Sequence, residues 1–152
     1  MTQRVDLATV MGRLAIDEVI TNYAVAVDDA DWPSYRALFT PDGRADYTAA
    51  GGIEGSAAEV ADWLAGTLRP YSMHQLLIVN RRLRIQGSDG YLGDLAELRA
   101  DYLSPRRHES GEELMSGGRC SFGLLRDDTG WLLRTVAVHE KWRRVSPSAD
   151  VG

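Results

Sequence analysis

A chain of 152 residues with 44% hydrophobic and 26% charged residues is long enough for one domain with a substantial core, and ordinary for a soluble globular fold. Its formal net charge of −5 argues against a nucleic-acid partner, which needs a basic face. The single cysteine, Cys120, excludes an internal disulfide and a cysteine-based structural zinc site.

No basic segment followed by an apolar one opens the chain, and no apolar run approaches the ~18 residues of a membrane span. The expectation is a cytoplasmic protein without a membrane partner. From Leu7 to Asp28, apolar residues recur at Leu7, Val10, Met11, Leu14, Ile16, Val19, Ile20, Tyr23, Ala24 and Val27, the spacing of an amphipathic helix. Its end sets a phenol and a carboxylate five residues apart. Tyr23 and Asp28 lie about 140° apart around such a helix, too far to touch but placed to border one cavity beside it. Asp28, Asp29 and Asp31 crowd an end where the macrodipole is already negative. A solvated turn accounts for Asp29 and Asp31. Asp28 continues the apolar face and reads as functional.

Trp32 to Phe39 follows as a shorter helix with Pro33 in its first turn. Thr40-Pro41-Asp42-Gly43 reads as a turn, and Arg44 to Thr48 as a short strand ended by Ala49-Ala50-Gly51-Gly52. Ser56 and Glu59 have the spacing of a capping box, opening a third helix that Pro70 stops.

Beyond Tyr71 the character changes to long strand-like runs, Met73 to Ile85, Tyr91 to Leu103, Leu114 to Leu125 and Trp131 to Trp142. Turns at Gln86 to Gly90 and Arg126 to Gly130 fit hairpins. Ser104 to Glu112 reads as a polar loop. Helices first and antiparallel strands afterwards give an α+β domain over residues 1–145, helices laid on a curved sheet around a pocket, with a disordered tail over 146–152. Arg81-Arg82-Leu83-Arg84 reads as the coat of a solvent face.

Of the histidines, His74 begins the first long strand where helices and sheet meet, His108 falls in the polar loop, and His139 faces either the pocket or solvent. No two have short metal-ligand spacing, and no G-x-S-x-G elbow occurs. Gly51-Gly52-Ile53-Glu54-Gly55 lacks the spacing of a dinucleotide loop. Candidates for chemistry are therefore Tyr23, Asp28, Tyr47, His74 and Asp101. Strict alternation puts Asp101 on one face with Glu97 and Arg99, unless a bulge turns the strand before it.

Tyr23-x-x-x-x-Asp28, Asp31-Trp32, Ala45-Asp46-Tyr47, Met73-His74 and Gly130-Trp131, in this order over residues 8 to 143, resemble the NTF2-like superfamily in its SnoaL-like and scytalone-dehydratase-like branch. The resemblance implies a cystatin-like cone of three N-terminal helices on a curved antiparallel sheet, assembled as a homo-oligomer, dimer or trimer. Asp28, His74 and Tyr47 fall on the active-site aspartate, histidine and tyrosine of scytalone dehydratase, and dehydrochlorinases of the branch have a similar Asp-His dyad. Tyr23, Met73-His74 and Asp101 match bile acid 7α-dehydratase. The second histidine of scytalone dehydratase has no clear equivalent, and its polar pair falls near Cys120 and Ser121 without identity.

What this implies is elimination of water, or another leaving group, beside a carbonyl, with no metal or organic cofactor. His74 would act as base, Asp28 would hold its tautomer, and Tyr23 would donate to the developing enolate. Asp101 or the protonated His74 would protonate the leaving hydroxyl, and Tyr47 would position substrate. Phe39, Trp63, Leu64 and Leu76 would line an apolar pocket for a small hydrophobic substrate, steroid-like, terpenoid or polyketide. A ligand-binding domain without catalysis, and an isomerase or cyclase with the same dyad, are the alternatives.

Overall fold

The computed structural model describes residues 7–86 and 94–148. Helices α1 (Leu7–Asp28), α2 (Trp32–Ala37) and α3 (Ala57–Leu68) are combined with strands β1 (Phe39–Asp46), β2 (Glu54–Ser56), β3 (Tyr71–His74), β4 (Leu77–Gln86), β5 (Leu95–His108), β6 (Glu113–Asp127) and β7 (Gly130–Ser146). The sheet runs β2-β1-β7-β6-β5, and both β3 and β4 pair with the far side of β5. Every pairing is antiparallel except that of β1 with β7. The result is a curled half-barrel with the helices across its concave side.

Helix α1 spans the residues its apolar spacing predicts, but only its second half is core. Ile16, Ile20, Tyr23, Ala24 and Val27 are buried, whereas Leu7, Met11 and Leu14 are 70%, 61% and 66% exposed. In α3 the capping box is closed in both directions. Ser56 Oγ accepts from Glu59 N–H at 3.2 Å, and Glu59 Oε1 accepts from Ser56 N–H at 3.2 Å. Such a cap contributes about 1 kcal/mol and fixes where the helix begins. Val60, Ala61, Leu64 and Leu68 then face inward.

Several boundaries differ from the expectation. Helix α2 stops at Ala37 because Phe39 is already paired in β1. Thr40 to Gly43 is no separate turn; it is the irregular part of β1, where the register jumps from Phe39↔Leu133 to Arg44↔Thr135. The first long strand is broken at Gln75-Leu76 into β3 and β4. The expected loop from Ser104 is strand as far as His108, with Pro105 facing that break. Residues 87–90 of the expected turn, and Tyr91 to Gly93, lie outside the described residues, as do residues 149–152 of the expected tail; Ser146 ends β7.

Strand β5 alternates without interruption. Ala96, Leu98, Ala100, Tyr102 and Ser104 are buried, and its pairing with β6 keeps one register from Leu95↔Leu125 to Arg107↔Glu113. A bulge does occur, but on β4, where Asn80 has φ 53° and the register shifts between Val79 and Arg82. It turns Arg81 inward to Asp17 of α1, with Nη1 to Oδ1 at 2.5 Å, while Arg82 and Arg84 stay on the solvent side.

Candidate active site

A cavity of about 260 Å³ lies between the helices and the concave face of the sheet. The last turns of α1 bring Tyr23, Val27 and Asp28 to it, Tyr47 follows directly on the end of β1, and α3 supplies Trp63, Leu64 and Leu68. His74 ends β3 and lines the cavity near the end of α1, where its charge interacts with that of Asp28.

The two phenols meet. Tyr23 OH and Tyr47 OH are hydrogen-bonded to each other in the buried interior. Tyr23 is held edge-on against Phe122, with ring centroids 5.3 Å apart, and Tyr47 leans on Trp63 at 5.6 Å. Burial drives the Tyr47 phenol well above the usual tyrosine range, so it stays protonated and able to donate. Gly52 completes this wall, because a Cβ there would overlap the Trp63 indole.

Asp28 Oδ1 accepts from the backbone N–H of Leu76 at 2.7 Å. The break between β3 and β4 is what frees that N–H from the sheet. Burial raises the Asp28 pKa, and the Leu76 N–H and His74 pull it back only in part. His74 moves the other way. Burial lowers its pKa, Asp28 opposes this, and Arg106 adds to it. The sequence reading expects a neighbouring carboxylate to raise the imidazole's affinity for a proton; that contribution is present, but desolvation outweighs it. The two groups interact through their charges, with no direct hydrogen bond between them among the described residues.

Of the expected lining, Tyr47, Trp63, Leu64 and Leu76 border the cavity. Phe39 does not: it packs on Tyr35, ring centroids 5.2 Å apart, in the core beside the cavity. Asp101 does not either. Unbroken alternation turns it to the convex face, where it accepts from Asn80 Nδ2 at 3.1 Å and lies 3.6 Å from Arg119 Nε. His108 bonds Ser110 at 2.9 Å and stays outside the cavity, and His139 is exposed on the convex face.

Sequence reasoning missed the polar side. Tyr102, Ser104 and Arg106 come from inward positions of β5, Ser116 and Cys120 from β6, and Glu140 and Arg143 from β7. Period-two alternation continued through Pro105 would have found Arg106. Glu140 and Arg143 share the cavity because β7 carries one extra residue, Lys141, between Gly118↔Glu140 and Gly117↔Trp142. Those two are paired in a fork, with Arg143 Nε and Nη2 donating to Glu140 at 2.9 and 3.0 Å. Burial pushes the Cys120 thiol up to about 12 and the Tyr102 phenol up to about 12. Among the described residues no three His, Cys, Asp or Glu side chains gather as a metal site, and no helix is long and apolar enough to cross a membrane.

The SnoaL-like domain model matches residues 8–137. An uncharacterized protein of Mycobacterium tuberculosis is 30% identical over 81 residues, 53% of this chain and 55% of the relative, and a Mycobacterium bovis protein matches to the same extent. The chain thus spans just over half the length of the curated relatives it matches. Among solved structures, hexachlorocyclohexane dehydrochlorinase LinA-type3 from Novosphingobium barchaimii superposes with a TM-score of 0.77 at 17% identity, over 97% of each chain. A scytalone dehydratase-like protein from Novosphingobium aromaticivorans gives 0.72 at 13% identity, over 95% of this chain and 97% of the other. An NTF2-like protein with a cystatin-like fold from the same organism gives 0.69 at 19%, over 86% and 82%. At these identities the likeness is one of fold.

Proposed function

The chain belongs to the SnoaL-like domain family, and from that premise we propose that it is a cofactor-independent lyase, eliminating water or a similar leaving group beside a carbonyl on a small ring-bearing substrate. The observation that carries the reading is the meeting of His74, Asp28 and the Tyr23–Tyr47 pair at one partly apolar cavity. The fold likeness to a dehydrochlorinase and to a scytalone dehydratase-like protein supports the same reaction class.

His74, neutral near pH 7, takes the proton α to the carbonyl, and the C–H electrons move into an enolate. The carbonyl oxygen accepts from the tyrosine pair, in which burial keeps the Tyr47 phenol in its donating form. Asp28 keeps Oδ1 on Leu76 and has Oδ2 to offer the imidazolium, a contact that tightens when substrate expels water. The enolate then collapses, the C–O bond breaks, and the imidazolium returns its proton to the leaving hydroxyl as water. Because Asp101 points away from the cavity, His74 serves as base and then acid. A cavity of about 260 Å³ lies below the usual ~300–1,000 Å³ of drug-sized sites, so one or two rings fit it better than a steroid nucleus.

The test is a panel of cyclic and aryl β-hydroxy carbonyl compounds, followed by absorbance of the conjugated product with the wild type and His74→Ala. Turnover that His74→Ala abolishes supports the mechanism. Turnover that survives this change intact removes it.

A further inference from the structure

The cavity's charges are unevenly matched. Arg143 is already neutralised by its fork with Glu140. Asp28 stands beside His74 and answers the imidazolium formed during turnover. Arg106 has no such partner. Its Nε donates to Ser104 Oγ at 3.3 Å, and its guanidinium carbon lies 5.5 Å from the centre of the Tyr71 ring. Among the described residues no carboxylate comes within ion-pairing distance of it. With His74 neutral, as it is before turnover, the wall carries two cations (Arg106, Arg143) against two anions (Glu140, Asp28), and Arg106 is the cation with no carboxylate bonded to it.

Position adds to this. Arg106 is directly opposite His74 in the β3–β5 pairing, and both side chains reach the cavity. Side chains at directly opposed positions start about 5 Å apart. A guanidinium fork is built to receive two oxygens of one planar acid.

We propose that the substrate is a ring-bearing carboxylic acid, and that Arg106 is the residue that binds its carboxylate. The inference rests on the lyase reading of the same cavity and narrows it. The carboxylate seats on the Arg106 fork, the ring lies toward Trp63 and Leu64, and the acidic C–H is within a few bonds of the carboxylate, where the imidazole reaches it. Arg106 thereby sets which acids enter and which carbon faces the base.

Isothermal titration with 2-naphthoate and its neutral counterpart 2-naphthamide tests this. The wild type is expected to bind naphthoate about tenfold to a hundredfold more tightly than the amide, the scale of one charge-assisted hydrogen-bonded pair. Arg106→Met should erase the preference by weakening naphthoate binding far more than amide binding, and Arg106→Lys should keep part of it. Should the methionine variant not fold, Arg106→Gln, which retains a polar head, carries the same expectation. Equal affinity of the wild type for acid and amide overturns the proposal, as does a full preference in Arg106→Met or Arg106→Gln. His74→Ala should keep the preference. Preference without elimination by the wild type would remove the lyase reading alone, and elimination without preference would remove the Arg106 assignment alone.

Discussion

Asp28 and Asp101 are the same residue type on opposite sides of one sheet, and the two surroundings push them in opposite directions. On the concave side, burial raises the Asp28 pKa even though a backbone N–H and His74 favour its charge. On the convex side, the Asn80 amide, helped by Arg119 and Lys141, lowers that of Asp101. The convex carboxylate is held in the form water would give it anyway. The concave one has lost solvation that favours its charge, and the Leu76 N–H and the titratable His74 offset that loss only in part; such opposed groups are where acid–base chemistry is found. A carboxylate in an interesting stretch of sequence becomes interesting chemically only through the face it occupies.

The comparison breaks most decisively at the base. His74→Ala should lower elimination by roughly 10²- to 10⁴-fold with an unchanged circular dichroism spectrum. Tyr23→Phe removes one donor from the phenol pair and should lower kcat by about 10², more than it changes KM. Asp28→Asn should cost roughly tenfold in kcat/KM. It also removes the contribution that raises His74's proton affinity, so the acidic limb of the rate profile, below the ordinary ~6.5 of histidine in the wild type, should move to still lower pH. The stability sign follows from linkage. The folded pKa of Asp28 is raised, so its stabilisation is present below the unfolded value near ~3.9 and lost as pH rises through the folded one. At neutral pH the ionised group therefore burdens the fold, and Asp28→Asn should melt at a higher temperature than the wild type. Asp101→Asn should change activity by less than about twofold, as expected for an exposed pair.

How legible all this was depended on distance along the chain. The extent of helix α1 to Asp28 was readable because its apolar spacing and its closing aspartates are local, and the start of α3 because Ser56 and Glu59 lie three residues apart. Tyr23, Asp28 and His74 stood out for related reasons: a phenol and an acid on one helix, and a histidine just after a helix stop. Arg106 was hidden by Pro105 and a polar neighbourhood that resembles a loop, although Pro105 only faces the gap between β3 and β4. Glu140 and Arg143 depend on the extra residue at Lys141, and the inward turn of Arg81 on the left-handed Asn80. A bulge changes every later facing by one position, and whether it forms is decided by strands far away in sequence. Asp101 shows the converse: plain alternation was the right guide, and similarity to an enzyme with an acid at that place was not.

The parallel pairing of β1 with β7, Ala45 against Val136, has a consequence for synthesis on the ribosome. Tyr47 is anchored just beyond a strand that pairs at once with the nearby β2 but finds its other neighbour, β7, about ninety residues later, so the wall that carries it stays open on that side until β7 has emerged. Closing so long a loop comes late in folding. The nascent helices and the β3–β6 meander precede it, and chains terminated ahead of Val136 would be left with an open edge prone to association where the phenol pair should form.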